Sequence, residues 1–351
     1  MSGRANDLPA LTAIRGFAAW YVVLFHIRDS IDWLPAPLHR LLGYGYLAVD
    51  LFFVLSGFVL WLSYAGRLSA GGREAILPFL WRRIARIWPL HLFLLAALTV
   101  LAALFAATGR GDPGRYPFAE LPLHALLLQN WGFTDTLGWN VPAWSISTEW
   151  AAYLLFPLLA AIGWQRRPFA LSLAVAAGLL ALLAWAYAPG GRLYIDVPRL
   201  GLLRCLAEFT LGTLLCAAWR RPAAAPGIAA IVLLLAAPLL WLAGLPESIA
   251  APLFCAGLVL LLATRPGLLG ARWAVWLGEV SYATYLSHTL VWIGFKLLFV
   301  ADPAHVGPLH IAAYLALALL ASALLHRLVE RPAQRWLNAR PPLSPRPAAA
   351  A

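Results

Sequence analysis

Charged residues are scarce in this sequence. They make up only 12% of its 351 residues, whereas hydrophobic residues make up 62% and the mean hydropathy is +0.77. Soluble domains contain about 25% charged and about 45–50% apolar residues. The scarcity of charge therefore excludes an ordinary soluble domain and predicts a polytopic membrane protein.

Cysteines are also few, and their positions argue against a metal site. Cys205, Cys216 and Cys255 all lie in apolar stretches and lack the paired spacing of metal ligands. We therefore expect them to pack in the protein interior, and we expect no metal ion.

Acidic residues are outnumbered, 15 against 26 basic residues, which gives a net charge of +11. Such an excess can indicate a nucleic-acid partner. Here, however, the arginines are spread among short loops between apolar segments, which is typical of orientation in a membrane. We expect the lipid bilayer as a partner and no nucleic acid. Lys296 is the single lysine, and this preference for arginine favours a bacterial source with a GC-rich genome.

Ten apolar segments have the length of a membrane span. Residues 1–9 lack a cleavable signal and are interpreted as a short lead into a retained first span. If the N-terminus is cytoplasmic, seventeen arginines face the cytoplasm and six the opposite side. This bias predicts an all-α bundle of about ten transmembrane helices with both termini in the cytoplasm. The segments lie near 9–29, 43–65, 84–107, 142–163, 168–188, 199–219, 224–243, 249–264, 273–299 and 308–328.

Two stretches do not read as simple spans. Residues 109–141 are interrupted by prolines and polar residues, which favours an interfacial or re-entrant segment. Residues 340–351 are rich in proline and alanine and are predicted to be disordered. Residues 1–339 are therefore expected to form a single membrane domain.

Three titratable residues are predicted to reach one depth near the outer face: His26, Asp50 and Glu149. Arg15 lies eleven residues before His26, or about three helical turns, so the two share one face of the first helix. A lipid-facing charge costs roughly 2.5–3.5 kcal/mol, so these groups should face the interior. His26 is the candidate base, and either carboxylate is a candidate to orient it. A plain hydrogen bond between helices is the alternative for one histidine taken alone.

A basic cluster lies at the cytoplasmic end of the third span. Arg82, Arg83 and Arg86 are three or four residues apart, so their like charges crowd one region of a helix. Guanidinium groups suit phosphates, and a phosphorylated ligand would relieve the repulsion. Anchoring to anionic lipid headgroups is the alternative. In contrast, Arg204 and Glu208 are four apart within a span and are expected to neutralise each other.

Six stretches of the sequence together carry a resemblance to a known family: Leu11–Ala19 with His26, Val49–Phe58, Phe79–Pro89, Trp144–Glu149, Val280–His288 and Glu330–Pro332. Through these stretches the chain resembles the acyltransferase-3 family of integral membrane O-acyltransferases from about Leu8 to Trp336. The resemblance implies transfer of an acyl group, usually acetyl, from cytoplasmic acyl-CoA to a hydroxyl of an extracytoplasmic acceptor.

The resemblance also implies roles for individual residues. His26 ends the first motif and would be catalytic, while Arg15, Arg83 and Arg86 would serve activity and donor binding. His26 would act as general base on the acceptor hydroxyl, with an acyl-histidine intermediate as the alternative. The acceptor, a glycan or a glycoside, stays open, and the expected location is the bacterial cytoplasmic membrane.

Further along the matching stretches, Trp144, Ser145 and His288 are candidate substrate-binding residues. For His288 a structural hydrogen bond is an equal alternative. A transporter would also place charges inside a helical bundle, but the internal repeat typical of transporters is not found in the sequence.

Overall fold

The computed structural model describes residues 8–222, 225–302 and 305–341. Residues 1–7 of the expected N-terminal lead and residues 342–351 of the expected disordered tail lie outside the described residues. Within the described ranges the chain contains helices and no strand, which confirms the all-α prediction. The long helices are α1 Pro9–Ile27, α2 Ala48–Gly71, α3 Ile76–Ala107, α4 Ala143–Ile162, α5 Phe169–Tyr187, α6 Val197–Trp219, α7 Pro226–Leu242, α8 Glu247–Thr264, α9 Arg272–Phe299 and α10 Pro308–Leu325.

These ten long helices overlap the ten apolar segments of the sequence. By length and composition, seven segments of the described chain are able to cross a membrane, and one of them, residues 36–107, contains both α2 and α3. Helix α7 is apolar but has only 17 residues. Helix α9 falls outside the seven, because polar side chains such as Ser281, Thr284 and His288 lower its mean hydropathy.

Glycines set the closest helix contacts. Helix α1 lies along α9, and α2 lies along α6. A Cβ atom added at Gly278 would overlap the carbonyl oxygen of Thr12, and one added at Gly57 would overlap that of Phe209. The absence of a side chain lets the backbones approach, as is common where membrane helices pack. Gly57 therefore lets α2 approach α6, and Gly278 lets α9 approach α1.

The connection between α3 and α4 is an irregular segment that begins exposed and later buries polar residues such as Gln129, Asn130 and Asn140. It contains only the short helical turns Phe118–Glu120 and Leu121–Ala125. The side chain of Asn140 donates to the carbonyl oxygen of Leu286 at 2.9 Å, and the backbone N–H of Asn130 donates to the hydroxyl of Ser147 at 3.2 Å. Non-helical backbone at membrane depth needs such protein partners. The segment joins α4 to α9 without forming a span of its own.

The closeness of α2 and α6 predicts different outcomes for two glycines of α2. Gly57→Ala should destabilise the protein by about 1–3 kcal/mol, because the new methyl group overlaps backbone that must move. Gly66→Ala is the matched control, since nothing lies within 4 Å of a Cβ at that position. The measurement is the thermal unfolding midpoint of each variant in detergent. Equal midpoints for the two variants would contradict the contact.

Candidate functional site

A cavity of about 130 Å³ lies between α1, α2, α3, α4 and α9. Its lining is unusually polar for the interior of an apolar bundle. The charged side chains that line it are Arg15, Arg83, Arg86 and Glu149. The hydroxyl groups that line it belong to Ser56, Ser145, Tyr153, Ser281, Tyr282 and Tyr285. The cavity can therefore accept an anionic or strongly polar ligand.

Two arginines of the predicted basic cluster point into this cavity. Arg83 donates to the hydroxyl of Tyr64 at 3.0 Å, and its guanidinium carbon lies 5.8 Å from the centre of the Tyr153 ring. Arg86 forms an ion pair with Glu330. The third member, Arg82, is exposed and does not line the cavity. Of the three arginines predicted to act together on α3, Arg83 and Arg86 therefore face the cavity and Arg82 does not.

Arg15 completes the basic lining from α1. It lies close enough to Arg86 and Glu149 to interact electrostatically with both. Within the described part of the chain it forms no hydrogen bond. Its N–H donors are therefore available to a ligand in the cavity.

Glu149 belongs to the arginine cavity and not to the surroundings of His26. Its Oε1 atom accepts hydrogen bonds from Ser56 at 2.6 Å and from Tyr153 at 2.7 Å. The carboxylate faces the arginines because it balances their charge in an interior where unpaired charge is costly. The expectation that Glu149 orients the histidine is not met by this geometry.

Asp50 is likewise held away from His26. Both of its oxygens accept hydrogen bonds from Arg204, at 2.9 Å from Nε and 2.5 Å from Nη2, and both side chains are almost fully buried. A planar guanidinium matches a carboxylate in this paired arrangement. Glu208 lies farther from Arg204, at 3.7 Å. The expected pairing of Arg204 with Glu208 is therefore present, and Asp50 is the closer partner of Arg204. The expectation that Asp50 orients His26 is not met by this geometry.

His26 instead contacts a second histidine. Its Nδ1 atom lies 2.8 Å from the carbonyl oxygen of Val22 and 3.3 Å from Nε2 of His288. His288 Nδ1 lies 2.8 Å from the carbonyl oxygen of Tyr285. Since a carbonyl oxygen only accepts, we assign the proton of each ring to Nδ1. His288 Nε2 can then accept from His26, and Nε2 of His26 keeps a free lone pair.

Tyr285 lies at the cavity and near the histidine pair. Tyr285 lines the cavity, its ring centre lies 6.3 Å from that of His288, and its hydroxyl lies 2.8 Å from that of Ser145. Ser145 thus lies at the cavity, and its role in substrate binding stays a prediction. Trp144 lies elsewhere, with the guanidinium carbon of Arg204 5.8 Å from the centre of its ring.

Several site residues were missed by sequence reasoning. Tyr153 lies one turn after Glu149, a spacing that could have indicated its hydrogen bond. Glu330 lies in the last stretch that carries the family resemblance. Its ion pair with Arg86 joins residues 244 positions apart, so no local sequence pattern indicates it. Among the described residues, no group of three or more His, Cys, Asp or Glu side chains is placed to hold a metal ion.

Known proteins similar to this chain include one that matches nearly its full length. The family described as "Acyltransferase domain" matches residues 8–327. The protein named Acyltransferase MdmB, from Streptomyces mycarofaciens, is 32% identical over 397 aligned positions, which cover 99% of this chain and 97% of that protein.

Two relatives match part of the chain. O-acetyltransferase OatA of Staphylococcus aureus (strain NCTC 8325 / PS 47) is 26% identical over 164 positions, covering 43% of this chain and 24% of that protein. YrhL of Bacillus subtilis (strain 168), provisionally named a peptidoglycan O-acetyltransferase, is 28% identical over 206 positions, covering 52% and 29%. No solved structure matches the chain.

The pairing of Asp50 with Arg204 predicts a structural and not a catalytic phenotype. Asp50→Leu should destabilise the protein by about 3–5 kcal/mol, because a guanidinium then stays buried without its main partner. Replacing the whole buried charge group, Asp50→Leu with Arg204→Met and Glu208→Gln, should recover much of this loss, because no charged side chain then stays buried there without a partner. The readout is the yield of monodisperse protein together with its thermal midpoint. A stable but inactive Asp50→Leu variant would argue for the catalytic role instead.

Proposed function

We propose, because the chain belongs to the acyltransferase-3 family of acyltransferase domains, that it transfers an acyl group from acyl-CoA to a hydroxyl of an extracytoplasmic glycan or glycoside. Family membership makes the protein an acyltransferase. The proposal adds the donor, with acetyl-CoA as the first choice, and the class of acceptor. Its main support is one arrangement: α1 carries a histidine with a free ring nitrogen and, on the same face, an arginine that opens into a basic cavity.

The topology proposed with this function has ten crossings and two cytoplasmic termini in the bacterial cytoplasmic membrane. Residues 1–339 form its single membrane domain. The arginine cavity then lies toward the cytoplasm, where coenzyme A is found, and His26 lies toward the outer face. Arg15 and His26 are about 16 Å apart along α1, a distance that the extended arm of coenzyme A can bridge.

Donor binding requires the cavity to widen. Its volume of about 130 Å³ is below the roughly 300–1,000 Å³ of sites that enclose a cofactor-sized ligand. Arg15, Arg83 and Arg86 would bind the phosphates at the cavity while the thioester arm extends toward Tyr285. Breaking the hydrogen bond between Ser145 and Tyr285 would let the arm reach the histidine pair.

The transfer itself needs one base and one leaving group. Nε2 of His26 takes the proton from the acceptor hydroxyl as the oxygen attacks the thioester carbonyl carbon. The tetrahedral intermediate then collapses and the carbon–sulfur bond breaks. The sulfur of coenzyme A takes the proton from His26 and leaves as the thiol. His288 accepts a hydrogen bond from Nδ1 of His26 and stabilises the imidazolium form, the role that sequence reasoning gave to a carboxylate. Attack by Nε2 itself, giving an acyl-histidine, is the alternative.

The base assignment predicts a selective loss of turnover. His26→Ala should lower the transfer rate by about 10²–10⁴-fold and leave coenzyme A affinity unchanged, because the phosphates bind far from His26. His310→Ala, which removes an exposed histidine of α10, is the control and should keep full activity. The assay uses purified protein in lipid vesicles with labelled acetyl-CoA and an added glycoside. Uptake of the glycoside without thioester cleavage would indicate a transporter and defeat the proposal.

The phosphate assignment predicts a loss of donor affinity. Arg83→Gln should weaken coenzyme A binding by about tenfold or more, since it removes a charge-assisted hydrogen bond inside the bundle. Arg82→Gln makes the same chemical change on the neighbouring, exposed residue of α3 and should bind normally. Isothermal titration calorimetry with coenzyme A measures both affinities. Equal affinities in the two variants would remove the cavity as the phosphate site.

A further inference from the structure

The helix that follows α10 contains an irregular turn next to the arginine cavity. Residues His326–Glu330 form a π-helical turn, and a regular helix, Arg331–Asn338, continues from it. π-helical turns are rare and are found often at functional sites. Both parts pack against α3, and the indole N–H of Trp81 donates to the carbonyl oxygen of Leu337 at 2.9 Å. These contacts hold the segment His326–Asn338 against α3, the helix that carries Arg86.

Glu330 connects this turn to the cavity. Its side chain is only 1% exposed. One carboxylate oxygen, Oε1, accepts from Arg86, and the other, Oε2, lies 3.0 Å from Nδ1 of His326. The carboxylate is therefore held from both sides, by a residue of its own turn and by the arginine of α3.

Arg86 differs from the other arginines of the cavity by its ion pair with Glu330, since neither Arg15 nor Arg83 forms an ion pair within the described residues. Ring contacts do not distinguish it, because both Arg86 and Arg83 lie over aromatic rings. Arg15 has no hydrogen bond within the described chain, and Arg83 has only the hydroxyl of Tyr64 as a hydrogen-bond partner there. A guanidinium fixed in advance loses less conformational entropy when it binds a phosphate.

We infer that Glu330, braced by His326, is a positioning residue that directs Arg86 into the cavity so that it meets the phosphates of the donor. The inference rests on the proposed function, because it takes coenzyme A as the ligand of the cavity. Glu330 acts through Arg86 and does not touch the substrate. It also offsets one of three like charges, which lets Arg15, Arg83 and Arg86 share one small space.

Glu330→Asp tests position separately from charge. The variant keeps the carboxylate but shortens the side chain by one methylene, so it cannot hold Arg86 in the same place. We expect the KM for acetyl-CoA to rise about tenfold, with kcat within about twofold of the wild type, because only donor binding uses Arg86. Glu279→Asp is the control, since Glu279 pairs with Arg331 at 3.5 Å on the exposed surface. It should leave both constants unchanged.

The Arg86→Ala variant distinguishes an effect of Glu330 on the position of Arg86 from a general effect on folding. In Arg86→Ala protein, adding Glu330→Asp should not raise KM further, because the residue through which Glu330 acts is gone. If Glu330→Asp fails to fold, His326→Leu is used instead, since it removes only the contact between His326 and Glu330. We expect the KM for acetyl-CoA of His326→Leu to rise about threefold. An unchanged KM in the folded variants, or additive effects with Arg86→Ala, would overturn the inference. Calorimetry of the wild type with coenzyme A tests the premise that coenzyme A binds the protein. If no binding is measured there, the proposed function itself is contradicted.

Discussion

A charged group inside a membrane bundle must find its partners within the protein, and this constraint orders the whole interior. Arg204 is satisfied by Asp50, Arg86 by Glu330, and Glu149 by Ser56 and Tyr153. Other buried polar atoms of the described chain lack a hydrogen-bond partner, among them Nε of Arg83 and both carboxylate oxygens of Glu208. At the cavity and the histidine pair, the guanidinium of Arg15 and Nε2 of His26 also keep free hydrogen-bonding capacity. Because unsatisfied polar groups inside a membrane bundle are costly, Arg15, Arg83 and His26 are candidate contact points for a ligand.

The same constraint explains which parts of the site the sequence could predict. Hydropathy and helical rise locate a residue along the membrane normal, and the helical repeat places Arg15 and His26 on one face of α1. Neither tells which neighbouring helix a given side chain faces. Asp50 and Glu149 were expected beside His26, yet each turns toward an arginine supplied by another helix, and the pairing depends on how α2, α4 and α6 pack.

Helix ends show a related limit of sequence reasoning. Helix α3 was expected from residue 84 but begins at Ile76, because its first two turns carry the arginines that end the apolar run. Helix α2 was expected from residue 43 but begins at Ala48, after a short helical turn at Gly45–Leu47, so Asp50 lies in its first turn. Hydropathy locates the ends of an apolar run, whereas backbone hydrogen bonding sets the ends of a helix, and the two differ by several residues in α2 and α3. The glycine contacts of α1 and α2 were equally hidden, since they depend on the partner helix.

Under the proposed function, the positions of Arg15 and His26 imply a division of labour along α1. Arg15 lines the basic cavity, His26 lies about three turns farther along, and Tyr285 contacts both the cavity and His288. The hydroxyl of Tyr285 is held by Ser145, and such a hydrogen bond contributes only about 0.5–1.5 kcal/mol net. A donor whose phosphates bind the arginines would therefore need to spend little of its binding energy to move Tyr285 and bring its acyl group to His26.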